Sequence, residues 1–178
     1  MTGPQTISLS KRYALSMMNT ADLPQVLAIE RDSFPSPWTR DAFLVEIRAP
    51  FGQAWVALDN RRQDRSIVGY ACFWERSDQV QLVNLCVAAP YRGQGLGRLM
   101  MNFVISWSKV RRKSRLSLEV RHNNQPAIRL YRSLNFVQVG VRQDYYSDTG
   151  ENALIMDLSL TPEPDLGQKA VDSDLEAG

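Results

Sequence analysis

Apolar residues change period several times along the chain, and each change marks an element. From Leu96 they recur at Leu99, Met100, Phe103, Val104 and Trp107, the one-sided stripe of an amphipathic helix of nearly four turns. Asp22 is a candidate N-cap, and Leu23, Val26 and Leu27 give the stripe of a first helix that runs to about residue 33, where two prolines stop it. Thr39 is placed to cap a second, short helix through residue 47, with Ala42, Phe43 and Ile47 inward, before Pro50 and Gly52 break the chain again. Residues 13–18, 54–58, 67–74 and 80–87 are strand-like, and the last three, joined by polar turns, read as an antiparallel meander. Residues 115–120 alternate Leu116, Leu118 and Val120 against Ser117 and Glu119. Residues 124–134 return to helical spacing through Ala127, Leu130, Tyr131 and Leu134. Two closing strands at 136–141 and 153–158 flank the polar segment 143–152, a hairpin loop. The order βααβββαβαββ predicts an α+β, or mixed α/β, fold with helices covering a mostly antiparallel sheet.

Composition adds exclusions. At 178 residues, with 44% hydrophobic and 22% charged positions, the chain suits one soluble globular domain and not a collagen-like, wholly disordered or disulfide-scaffold class. The longest apolar run, residues 67–74, contains Gly69 and falls far short of the ~20 residues a membrane-crossing helix needs. No apolar core of signal-peptide length precedes Tyr13. Cys72 and Cys86 both lie in apolar strands, which points to buried thiols in a reducing, cytoplasmic compartment. The net charge of +2 conceals an asymmetry: residues 161–178 carry five acids against one lysine, leaving 20 bases and 14 acids in the body. That mildly basic body suits an anionic cofactor or an RNA-rich neighbourhood without proving either. The expected organisation is a flexible leader at 1–12, one domain at 13–160 and an acidic, disordered tail at 161–178.

The candidate chemistry begins at Arg92-Gly93-Gln94-Gly95-Leu96-Gly97, between an apolar strand and the long helix, where backbone N–H groups and the positive helix end converge into an anion site. The spacing is GxGxG, which fits neither the nucleoside-triphosphate loop nor the dinucleotide pattern GxGxxG. A plain strand-to-helix turn is the alternative. The preceding strand ends at Ala88-Ala89-Pro90-Tyr91; if it splays from its neighbour, its free backbone groups can pair with an extended, amide-bearing ligand.

NLCVAAPYRGQGLGRLMM resembles the acetyl-CoA motif of the GNAT superfamily of N-acetyltransferases, with Arg92, Gly95 and Gly97 at the motif's defining loop positions. A second block, LSLEVRHNNQPAIRLYRSLNF, resembles the RimI-type branch, the bacterial ribosomal-protein alanine N-acetyltransferases, matching it at Glu119, Val120, Arg121, Asn124, Ala127, Ile128, Leu130, Tyr131, Leu134 and Phe136. FPSPWT at 34–39 and Arg142-x-x-Tyr145-Tyr146 with Gly150-Glu151-x-Ala153 fit the same branch, so the resemblance covers residues 13–158. It implies a twisted, splayed sheet of about seven strands flanked by about four helices. It also implies an acetyl-CoA seat formed by Leu85, Cys86 and Val87 on the strand, by Arg92, Gly93, Gln94, Gly95, Leu96, Gly97 and Arg98 at the loop, and by Asn124. The chain departs from the branch at His122, usually a small residue, and at Asn135, usually glycine; asparagine is the next-best residue for a left-handed helix terminus.

Acetyl transfer to an amine requires a neutral nitrogen, a polarised thioester and a proton for the departing thiolate. The resemblance assigns Glu119 as general base and Tyr131 as general acid. Each has a plainer alternative: a surface glutamate paired with Arg121 or Arg115, and a core tyrosine on its helix's apolar stripe. Asn124 doubles as a helix N-cap. Phe34 and Trp38, with Tyr145 and Tyr146, are candidates for the acceptor groove, against a hydrophobic plug between two helices. With His122 the only histidine, a histidine-based metal cluster is not expected. Arg111, Arg112, Lys113 and Arg115 read as a solvated helix cap in preference to a binding patch. Buried Cys86 is a poor acyl carrier, because burial suppresses the thiolate. The reading is therefore a cytoplasmic, monomeric, metal-free Nα-acetyltransferase, requiring neither membrane nor direct nucleic-acid contact, that modifies the N-terminal alanine of a small-subunit ribosomal protein by direct attack. The alternatives are the same fold acting on a small amine or lysine, and a non-catalytic acetyl-CoA-sensing or ribosome-associated module.

Overall fold

A computed structural model describes residues 6–62 and 64–160. The chain runs β1 (Thr6–Ser8), β2 (Tyr13–Met17), α1 (Leu23–Ser33), α2 (Arg40–Arg48), β3 (Gly52–Asp59), β4 (Ile67–Glu75), β5 (Gln79–Val87), α3 (Leu96–Val110), β6 (Arg115–Arg121), α4 (Gln125–Arg132), β7 (Val137–Tyr146) and β8 (Glu151–Ser159). The strands form one eight-stranded sheet, ordered β1-β2-β3-β4-β5-β6-β8-β7. Every neighbouring pair is antiparallel except β5 and β6.

The period-2 alternation of the strands divides the core between the two faces. Trp55, Ala57, Ala71 and Phe73 pack with Leu96, Met100, Val104 and Trp107 of α3 and with Ile128 and Tyr131 of α4. Ala54, Val56, Tyr70, Cys72 and Cys86 pack on the opposite face with Leu23, Val26 and Ile29 of α1 and Phe43 of α2. Both cysteines are free and buried, as their apolar strands predict.

Several local expectations change. Asp22 stands at the N-cap position of α1, as expected, but its side chain makes no capping bond there: its carboxylate accepts from the N–H of Asn19, the cap of the short 3₁₀ turn Thr20–Asp22, and pairs with Arg65 at 2.9 Å. The leader expected at 1–12 contributes β1, paired to β2 through Thr6↔Ser16, and makes an eighth strand. The loop expected at 143–152 is mostly strand, because β7 runs on to Tyr146 and β8 starts at Glu151. Thr39 caps α2 through its Oγ1, and Asn135 takes φ 66° after α4, the left-handed terminus foreseen for it. The basic run is held by the fold: Arg111 stacks on Trp107 at 3.6 Å, Lys113 pairs with Glu75 at 2.9 Å and Arg115 with Asp157 at 3.3 Å. The acidic segment 161–178 lies outside the described residues.

Candidate active site

The parallel strands β5 and β6 pair only from Gln79↔Arg115 to Leu82↔Leu118. At that point β5 carries an irregularity, since Phe73 of β4 pairs Leu82 and Cys72 pairs Asn84, leaving Val83 as the extra residue. A bulge bends the strand that carries it, and β5 leaves β6 while keeping its β4 partners through Asn84, Leu85, Cys86 and Val87. Alternate backbone groups of Leu85, Cys86 and Val87 therefore face a split in the sheet. Only the backbone of Cys86 is available there, because its side chain lies in the α1/α2 core. Burial pushes the Cys86 thiol up, against opposing contributions from Ser33 and Arg92.

The glycine loop closes the same end. Gly93 and Gly95 adopt φ of 71° and 83°, with nothing within 4 Å of where a Cβ would stand. Gly95 is the N-cap of α3 and offers no side-chain cap, so the first N–H groups of a fifteen-residue helix are left to an external acceptor. Gly97 lies between walls: a Cβ would meet Leu130 at 3.4 Å and Val87 at 3.9 Å. The side chains around the loop act as struts. Arg92 donates to the Val87 carbonyl at 2.9 Å and to Ser33 Oγ at 2.7 Å, and Gln94 donates to the Pro90 carbonyl and accepts from Arg12. Arg98 donates to Ser133 of the turn after α4. Leu96 is buried, leaving its backbone alone for a ligand. Asn124 accepts from the Ala127 N–H at 3.2 Å and caps α4.

Glu119 is the first residue of β6 beyond the last β5 pair. Its partner is neither Arg121 nor Arg115 but Arg142 of β7, Nε to Oε1 at 3.1 Å. Tyr145 faces the same carboxylate, and that proximity, ahead of burial, is the leading cause of the raised Tyr145 pKa. Arg121 is occupied by Asp148 at 2.7 Å and Glu151 at 3.4 Å and lies over the Tyr146 ring at 3.8 Å. Burial pushes Tyr146 up to about 12. Tyr131 is buried against Phe136, with ring centroids 5.7 Å apart, and burial, then the neighbouring Tyr146, raises its pKa. It is thus a core residue on the side of α4 that looks toward Tyr146.

Phe34 and Trp38 both pack on the α1/α2 core, Trp38 with its ring centroid 5.3 Å from Phe43, so the plug reading holds for their inner edges. Ser36 of the loop between them lies near Asp148 of the β7–β8 turn, whose carboxyl is held below the usual carboxylate range chiefly by Arg121, with a smaller contribution from Ser36. Tyr145 and Tyr146 stand edge to face at 5.1 Å. Sequence reasoning missed Glu30, a carboxyl group 1% exposed in the α1/α2 core. The available signal was a charged residue continuing the apolar stripe of Leu23 and Val26. Among the described residues no group of three or more His, Cys, Asp or Glu side chains could hold a metal ion, and no helix is long and apolar enough to cross a membrane.

Residues 23–136 match the model of the Acetyltransferase (GNAT) family. The [ribosomal protein bS18]-alanine N-acetyltransferase of Escherichia coli K12 is 32% identical over 149 residues, 83% of this chain and 97% of the relative. An N-alpha-acetyltransferase of Sulfolobus acidocaldarius is 29% identical over 157 residues, 81% of this chain and 90% of the relative. The crystal structure of the E. coli ribosomal-protein-S18-alanine N-acetyltransferase superposes with a TM-score of 0.75 at 29% identity, covering 86% of this chain and 97% of that one.

Proposed function

The chain belongs to the GNAT acetyltransferase family, and from that premise we propose that it transfers the acetyl group of acetyl-CoA to the N-terminal alanine amine of a small-subunit ribosomal protein. The names of its relatives support that acceptor. One observation carries the reading: the sheet parts after Leu82 and Leu118, and Glu119 is the next residue on one side while Leu85, Cys86 and Val87 open their backbone on the other. The cosubstrate supplies an acetyl thioester and departs as a thiol. The residues present fit it: uncapped N–H groups of α3 suit its pyrophosphate, the open edge of β5 suits its amides, and a β5 N–H there would polarise the thioester carbonyl.

Glu119, directly or through water, accepts the proton of the incoming amine, which has an ordinary pKa near ~8 and is largely protonated at neutral pH. Tyr131, kept protonated by burial, supplies the proton for the leaving thiolate. Phe34, Trp38, Tyr145 and Tyr146 would line the acceptor groove, with Tyr145 and Tyr146 edge to face on the β7 side. Direct attack within a ternary complex follows, since the buried Cys86 thiol offers no acyl carrier. The free thiols accord with a cytoplasmic enzyme, and it acts as a monomer that needs no nucleic acid. Glu119→Gln and Tyr131→Phe should each lower kcat on an alanine-starting peptide about a hundredfold while the KM for acetyl-CoA stays within about twofold. Wild-type kcat in either variant would remove that residue from proton transfer.

A further inference from the structure

Glu30 sits in the last turn of α1, wholly inside the protein, and every hydrogen-bonding atom it has toward the core is engaged. Its backbone carbonyl accepts the Phe34 N–H at 3.0 Å, and its Oε1 accepts the Trp38 N–H at 2.8 Å. One residue thus holds both ends of the loop that carries Phe34, Ser36 and Trp38. Its Oε2 accepts from the Tyr70 hydroxyl on β4 and from Asn84 Nδ2 on β5 at 3.4 Å. Tyr70 pairs Cys86 in the β4–β5 ladder, and Asn84 is the first residue past the irregularity at Val83. The carboxyl group therefore lies between the proposed acceptor wall and the strand segment that opens the split. The ring series Trp38–Phe43–Tyr70, with successive centroids 5.3 Å apart, runs beside it and gives the loop a second, apolar attachment.

A buried carboxyl group is costly unless its oxygens are used, and here each oxygen holds a different element. We propose that Glu30 is a positioning residue of the acceptor site, fixing the Phe34–Trp38 loop to β4 and β5 so that the acceptor wall keeps a constant depth relative to the open edge of β5. This rests on the reading that the loop lines the acceptor groove. Glu30 does not touch the reacting atoms; it acts through the Trp38 backbone. Removing the side chain leaves the Trp38 N–H, the Tyr70 hydroxyl and Asn84 without their shared acceptor, whereas glutamine retains an oxygen for the Trp38 N–H and an amide for the tyrosine oxygen.

The test compares Glu30→Ala, Glu30→Gln and Tyr70→Phe in the full chain by steady-state kinetics on an alanine-starting peptide and by amide hydrogen exchange. Glu30→Ala should raise the acceptor KM about tenfold, leave the acetyl-CoA KM within about twofold, and speed exchange across residues 34–39 about tenfold relative to β6 and β8. Glu30→Gln should recover most of both losses. If Glu30→Ala melts too low to assay, Tyr70→Phe must move the acceptor KM and the 34–39 exchange in the same direction by a smaller factor. Unchanged acceptor KM with unchanged exchange, equal rises in both KM values, or equal damage from alanine and glutamine overturns the proposal. A wild type without peptide turnover sinks the acceptor reading, and the exchange data then decide the tether alone.

Discussion

In the proposed mechanism Tyr131 carries two demands, and burial reconciles them. Packed against Phe136 it serves the core, and the same desolvation raises its pKa, so it remains a donor at pH values where an exposed tyrosine begins to ionise near ~10. The pH profile of kcat/KM should climb as the acceptor amine deprotonates through about pH 8 and show no descending limb from Tyr131 before about pH 10. A fall between pH 8 and pH 9 that disappears in Tyr131→Phe would contradict the raised pKa. At this scale the sequence was informative where a residue has one local job. Asn135 takes φ 66° as its type suggests, and Asn124 and Thr39 cap their helices. It was uninformative where the partner is remote: Glu119 pairs with Arg142, two strands away in sheet order, and Glu30 finds Trp38, Tyr70 and Asn84 only once the sheet has formed.

The elements position the proposed site through two departures from regularity. The irregularity at Val83 turns β5 from β6, and the left-handed Gly95 starts α3 without a side-chain cap. A Cβ at Gly95 meets open space, so the obstacle to substitution is conformational: about 1–2 kcal/mol for holding an L-residue in the left-handed region. Gly95→Ala should therefore raise the acetyl-CoA KM about tenfold, with the acceptor KM unchanged, because the loop relaxes away from the geometry that presents its N–H groups. Kinetics with each substrate varied in turn checks this; an unchanged acetyl-CoA KM would detach the loop from cosubstrate binding. Helices and strands were legible because their periods are strong, as in Leu96–Val110. The three-residue β1 was not, since Thr6–Ser8 has no periodicity of its own and exists as the partner of β2. The parting of β5 from β6 was inferred from resemblance, and its extent depends on pairing that the local sequence does not encode.

For the molecule as a whole, ion pairs join distant parts of the sheet, and some give stability a definite pH dependence. Asp59, at the end of β3, is nearly fully buried, yet hydrogen bonds from Arg61 and the charges of Arg61 and Arg12 outweigh that burial and hold its carboxyl below the usual carboxylate range. A folded pKa below the unfolded value of ~3.9 means the contribution is complete above that value and is lost as pH falls through the folded pKa. Asp59→Asn should melt below wild type at pH 7, with the gap closing toward pH 3; a gap undiminished at pH 3 would refute the assignment. The acceptor is decided by one experiment. The purified chain is incubated with acetyl-CoA and three peptides: one with a free N-terminal alanine, its N-acetylated twin, and one with a blocked N-terminus and an internal lysine. Mass spectrometry should find one acetyl group added to the free alanine peptide and none to the other two. Acetylation of the lysine peptide, or of no peptide, contradicts the proposed acceptor.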